Sequence, residues 1–184
     1  MDETRQPKSY TMTPDEKSVV MMFYTHSALY RGEAVMKQNM RANIWMRVQG
    51  APEYIHLQKA QVINISTNGM AKPLAYPEML VSSNTLIAYH IAPPSQPDSM
   101  DFEETEVNRV FEAVSALVGT FVFAGHLRIA SSLDVTQALL ANRAPWLSMY
   151  HVEITNPYIP QLGVLKIPLV QIRPTAVQFG LSPA

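Results

Sequence analysis

Val19–Lys37, VVMMFYTHSALYRGEAVMK, carries the pattern on which the fold turns. From Val19 to Thr25 the residues are β-branched, aromatic or long and apolar, the composition of a strand. His26-Ser27 supplies a tight turn. Ala28–Lys37 then returns with good alternation, placing Leu29, Arg31, Glu33 and Val35 on one side and Ala28, Tyr30, Gly32, Ala34 and Met36 on the other. The small residues of the second set predict a face pressed against another layer. Asn108–Ala130, NRVFEAVSALVGTFVFAGHLRIA, repeats the plan with a strand to Val118, a turn at Gly119-Thr120 and a strand from Phe121. Gly32 and Gly125 occupy the same place in the two hairpins, 93 positions apart (125 − 32).

Downstream of each hairpin the same elements recur in order. Asn39 is placed to cap a short helix, Met40–Val48, which Gly50-Ala51-Pro52 stops. Tyr54–Ile65 follows as a strand, then a loop at Asn68-Gly69 and strands around Met79–Val81 and Thr85–Ile91. In the second half Ser132 would cap a helix over Leu133–Asn142, and Ala144-Pro145 repeats Ala51-Pro52. Trp146, Leu147, Met149, Val152 and Ile154 then fall on Tyr54, Ile55, Leu57, Ala60 and Val62, and Thr175, Val177, Phe179 and Leu181 on Thr85, Ile87, Tyr89 and Ile91. Identities alone are no more than composition supplies, so the order and spacing of elements carry the repeat. One β-rich domain with coincidental hairpins is the alternative.

The expected fold is all-β with short helices: two tandem small units, Sm- or SH3-like barrels or half-barrels, at 18–91 and 108–184. A flexible polar tail, 1–17, precedes them. Between them Ala92–Glu106 (APPSQPDSMDFEETE), with three prolines and five acidic residues, reads as an acidic, proline-rich linker over 92–107. It is expected to be exposed, since burying such a run would cost several kcal/mol of unpaired charge.

Composition narrows the function more by exclusion than by indication. The chain has 184 residues, 47% apolar and 16% charged, with net charge −1, which gives no general attraction to phosphate backbones or anionic lipid. No cysteine is present, so thiolate chemistry, thiolate metal sites and disulfides are excluded. The polar start and the lack of a long apolar run predict a soluble cytoplasmic protein with no membrane association. His26, His56, His90, His126 and His151 show no ligand spacing, so no metal site is expected. No nucleophile elbow, phosphate loop or His-Glu-x-x-His is present, and acid pairs such as Glu103-Glu104 lie in the linker, where no case for acid–base catalysis arises. The chain is therefore expected to perform no catalysis and to hold no cofactor.

Two resemblances attach to the first half. The hairpin closing on Gly32-Glu33, then Met40-Arg41, the strand Tyr54-Ile55-His56-Leu57-Gln58-Lys59-Ala60-Gln61-Val62 and a final strand through Ile87 resemble a bacterial family of small β-rich domains of unknown function. The resemblance covers roughly 70 residues and departs at Ala42-Asn43-Ile44-Trp45-Met46, where that family has Leu-Ser-Asp after its arginine. It implies a fold and a bacterial origin, and no activity. Asn64-Ile65-Ser66-Thr67-Asn68-Gly69 fits Asn-x-Ser-x-x-Gly and is similar to half of the PilZ signature for cyclic di-GMP. The other half requires two arginines four apart; Arg41 and Arg47 are six apart. A plain strand-connecting turn explains the loop better.

The expected function is a non-catalytic binding or scaffolding module, with a protein partner or self-association favoured over nucleic acid. Eleven methionines suit adaptable apolar contacts as well as cores. The alternative is a cyclic-dinucleotide or single-stranded nucleic-acid binder, or another small-ligand site, built from Arg41, Arg47, His56, Asn64 and Ser66 of the first half.

Overall fold

The computed structural model describes residues 10–65, 72–103 and 105–181. Among these residues the strands are β1 (Glu16–Tyr24), β2 (Ala28–Lys37), β3 (Tyr54–Asn64), β4 (Leu74–Ser82), β5 (Ala88–Ile91), β6 (Arg109–Val118), β7 (Phe121–Ala130), β8 (Leu147–Thr155), β9 (Leu165–Ile172) and β10 (Gln178–Leu181), with one α-helix, α1 (Val135–Ala141). All pairings are antiparallel, in one ten-stranded sheet of order β10-β6-β7-β8-β9-β5-β1-β2-β3-β4. Within each half the fifth strand lies beside the first, followed by the second, third and fourth. The halves meet where β9, fourth strand of the second half, pairs with β5, fifth strand of the first.

The continuous apolar character of Val19–Tyr24 has a physical origin in this joint. A strand with one wet face alternates apolar and polar residues; a strand covered on both faces cannot. Met21 and Phe23 point into a core with Ala34, Met36, Trp45, Ile55, Leu57 and Val81. Met22 and Tyr24 point the other way, into a core with Val114, Phe121, Phe123, Met149, Val152 and Ile172. β5 is shared in the same manner, with Tyr89 in the first core and Ala88 in the second. Trp146, from the second half, lies in the first half's core, its ring 5.0 Å from Tyr89. Each fully buried side chain of this kind contributes roughly 1.5–3 kcal/mol.

Gly32 and Gly125 have matching structural duties. Each sits in the second strand of its half where the pairing register shifts, opposite a third-strand residue with positive φ: Lys59 at 51° and His151 at 51°. A Cβ on Gly32 would stand 3.0 Å from the Gln58 carbonyl oxygen, and one on Gly125 2.9 Å from that of Tyr150. The missing side chain lets the backbones close up at each bulge, and the bulge bends the sheet.

Several local expectations need correction. Met40–Val48 forms turns and a short 3-10 segment, Trp45–Arg47, in place of a helix, because its apolar residues sink into the first core instead of lining one helical face. α1 is capped by Asp134 instead of Ser132: the Asp134 carboxylate accepts from Gln137 N at 2.7 Å and the Gln137 side chain accepts from Asp134 N at 3.1 Å, a reciprocal capping box. β4 begins at Leu74 and carries Pro77 within it, which its position at the sheet edge allows. Thr85 to Ile87 precedes β5, entering through a 3-10 turn at Ser83–Thr85.

The second core contains one titratable pair. His90 is fully buried; its Nδ1 lies 2.8 Å from the Ile91 carbonyl, which can only accept, so Nδ1 carries the proton and Nε2 accepts from the Tyr24 hydroxyl at 2.9 Å. Burial lowers the imidazole pKa from 6.5 to about 4. Below pH 6.5 the unfolded chain takes up a proton that the folded chain refuses until about pH 4. Stability is therefore full above pH 6.5 and falls as pH drops through this window, by about 3 kcal/mol in total. Denaturant unfolding between pH 7 and pH 5 should show about 2 kcal/mol of this loss, and Tyr24→Phe combined with His90→Leu should remove most of it; an unchanged pH slope in the double variant would place the titration elsewhere.

Candidate functional site

The segment between the halves is fastened along its length by arginines and amides of the first half. Arg31 Nη2 donates to Pro93 O at 2.8 Å, Val20 N to Ser95 Oγ at 2.8 Å, and Asn43 N to Asp98 Oδ2 at 2.9 Å. Arg41 Nη2 and Asn43 Nδ2 converge on Ser99 O, at 2.6 and 2.9 Å. Pro93, Pro94, Gln96, Pro97, Ser99 and Glu103 are exposed, whereas Ala92 is buried and Asp98 and Met100–Phe102 are partly so. All three prolines, Glu103 and Glu106 are thus exposed as expected, and the strap is covered at Ala92, Ser95, Asp98 and Met100–Phe102.

Asp101 is the strap's anchor. Its carboxylate accepts from Ser148 Oγ at 2.6 Å, Tyr150 OH at 2.7 Å and Arg47 Nη1 at 2.5 Å. Gln171 Nε2 donates in turn to Ser148 Oγ at 2.9 Å. Arg47 comes from the first half, Asp101 from the strap, and Ser148, Tyr150 and Gln171 from β8 and β9, so three parts of the chain meet at one carboxylate. Burial alone would raise the Asp101 pKa, but the hydrogen bonds from Ser148, Tyr150 and Arg47 outweigh it and hold the carboxyl below its ordinary range. Burial, then the bond to Asp101, pushes the Tyr150 phenol upward. Next along the chain, Phe102 packs edge-on against Tyr150 and Phe111 at 5.2 and 5.6 Å, and the Arg128 guanidinium covers its ring at 4.6 Å. Ser148 is buried and donates its hydroxyl proton to Asp101, so the network is a closed fastening.

The candidate ligand residues are dispersed by this arrangement. Arg41 and Arg47 are engaged with the strap. His56 lies on β3 against Tyr10, ring centroids 4.5 Å apart, with Glu78 Oε2 3.5 Å from its Nε2. It lines a cleft of about 550 Å³ with Tyr54 and Leu80. Asn64, at the exposed end of β3, lines a separate cleft of about 330 Å³ with Tyr30, Leu74 and Tyr76. Ser66 and the rest of its loop through Ala71 lie outside the described residues. Among the described residues, neither Arg41 nor Arg47 lines either cleft. A third, enclosed cavity under the strap, bounded by Asn43, His90, Asp98 and Gln171, measures about 20 Å³, room for one water-sized molecule.

What the two open clefts share is β4. Met79 and Leu80 line both, and the strand has no second neighbour among the described residues. Around it stand large apolar side chains in contact with solvent: Leu80 is 67% exposed, Tyr54 59%, Leu74 43% and Tyr76 42%. This uncovered edge is the part of the molecule whose chemistry the fold itself does not consume, and the alternation of β4 broken by Pro77 hid it in the sequence. Among the described residues no three His, Asp or Glu side chains are placed to hold a metal ion, and no helix is long and apolar enough to cross a membrane.

No family model, curated protein or solved structure matches this chain.

Asp101→Asn should remove the charge that orients Arg47 and Tyr150 and lower stability by about 1–3 kcal/mol, solvent around the partly exposed Arg47 keeping the loss moderate. Limited proteolysis should then cut within 93–106 faster than in the native protein. Equal digestion of the two would mean that the strap is held by its other contacts.

Proposed function

We propose that this chain is a non-catalytic binding or scaffolding module, made of two copies of one small five-stranded Sm- or SH3-like unit, working in a bacterial cytoplasm. The duplication is supported by the common strand order, by the two glycines at matching bulges and by the paired positive-φ residues Lys59 and His151. The observation that carries the binding role is the apolar β4 edge, which has no second neighbour among the described residues and on which Leu80 is the most exposed large apolar side chain. A water-soluble domain exposing a long strand edge with large apolar side chains has either to blunt it or to cover it. Pro77 and Glu78 blunt the middle of β4, but Met79 to Ser82 carry no charge or proline.

Recognition of a cyclic dinucleotide or a single strand of nucleic acid would ask Arg41 and Arg47 to leave the strap, since both guanidinium groups already spend donors on Ser99 and Asp101. The two possibilities separate experimentally. With p-benzoylphenylalanine in place of Leu80, irradiation in cells should give a cross-link to protein, and titration of the purified chain with cyclic di-GMP should give no saturable heat. No cross-link at position 80, together with saturable dinucleotide binding lost in Arg41→Ala and Arg47→Ala, would reverse the assignment.

A further inference from the structure

We infer that the partner covering β4 is a second copy of this chain, which adds its β10 to that edge. The inference rests on the module reading above and names its partner. Inside one chain, the fourth strand of the second half already pairs with the fifth strand of the first, through Ala88 with Ile172 and Tyr89 with Gln171. Among the described residues that single joint leaves two strands without a neighbour on one side, β4, the fourth strand of the first half, and β10, the fifth strand of the second. The two free edges are the structural counterparts of the two strands that are joined.

The correspondence extends to residues. β9 reads Leu165-Lys-Ile-Pro168-Leu-Val-Gln-Ile172 and β4 reads Leu74-Ala-Tyr-Pro77-Glu-Met-Leu-Val81. Leu165 pairs with Ile154, three residues after positive-φ His151, as Leu74 pairs with Val62, three residues after positive-φ Lys59. On the other side, β10 stands on β6 as β5 stands on β1: Leu181 faces Val114, the partner of Gly125, and Ile91 faces Met21, the partner of Gly32. Carrying the internal joint onto the free edges pairs Gln178 with Val81 of the second copy and Phe179 with its Leu80. Pro168 does not obstruct the internal joint, which forms beyond it at Gln171 and Ile172, and Pro77 stands equally clear of Val81 and Leu80. In the joint, β5 and the end of β9 are buried; Leu80 and most of β10 are exposed. An added strand would cover that surface.

Such a contact is head-to-tail, since each copy offers β4 to one neighbour and β10 to another; it generates a closed ring or an open chain of copies and never a two-fold dimer of like edges. The test exploits this asymmetry. Leu80→Lys places a charge on the β4 edge, and Gln178→Lys with Leu181→Lys charges the β10 edge, all at exposed positions where folding is not at stake; unchanged far-ultraviolet circular dichroism controls for that. Light scattering of the purified full chain at micromolar to millimolar concentration should show species heavier than a protomer. Each variant alone should associate about tenfold or more weakly, while an equimolar mixture of the two should form a one-to-one dimer, because one intact β4 edge and one intact β10 edge remain. A wild-type protein monomeric throughout, a variant that associates alone as well as the wild type, or a mixture that stays monomeric overturns the inference. A monomer that nonetheless cross-links from position 80 to a different protein in cells overturns self-pairing and leaves the module reading standing.

Discussion

Everything else in this fold depends on the burial of β1 from both sides. Met21 and Phe23 fill one core while Met22 and Tyr24 fill the other, and no part of the strand from Met21 to Tyr24 is left for solvent. A five-stranded, half-covered sheet of this size is marginal alone. Sharing β1 and β5 between two such sheets gives each a second layer, and Tyr24 makes the sharing specific: its ring meets Phe121 and Phe123 of the second half edge-on at 4.9 and 5.1 Å, and its hydroxyl meets His90. Backbone pairing at the joint is short, so side chains rather than ladder bonds hold it. Arg173 reinforces it, donating to Ser83 O and Asn84 O across the joint and stacking over Trp146 at 4.9 Å.

The strap follows from the same constraint. Once two half-sheets are fixed side by side, the chain between them must run from β5 to β6 over the seam, and its polar groups need partners there. Arg31, Arg41, Asn43 and Arg47 supply them from one side, and Ser148, Tyr150 and Arg128 from the other. Three arginines of the first half thus serve the strap, Arg47 through the Asp101 carboxylate and Arg31 and Arg41 through the main-chain carbonyls of Pro93 and Ser99.

Strand positions and the hairpin pairing of β1 with β2 and β6 with β7 were legible because alternation and apolar runs are local. The two glycines stood out as small residues on a strand face, but what they approach is the backbone of the neighbouring strand at a bulge and not another layer. What sequence patterning did not expose is which half covers which. Trp146 in the first half's core and Tyr24 in the second's are long-range facts with no periodic signal. Phe102 was the one sign that the linker docks, a lone aromatic in a run of prolines and carboxylates, and the surrounding charge masked it. Asp101 was hidden for the same reason: a carboxylate among carboxylates looks solvated until its three donors are assembled around it.

If the two cores are coupled through β1 and β5, they open together. Native-state hydrogen exchange resolves this residue by residue. The account predicts that backbone amides of β1 and of β7 and β8 exchange only through global unfolding, with one common free energy and one common dependence on denaturant. A distinctly lower opening free energy for β6 to β9, with β1 to β3 still protected, would contradict it.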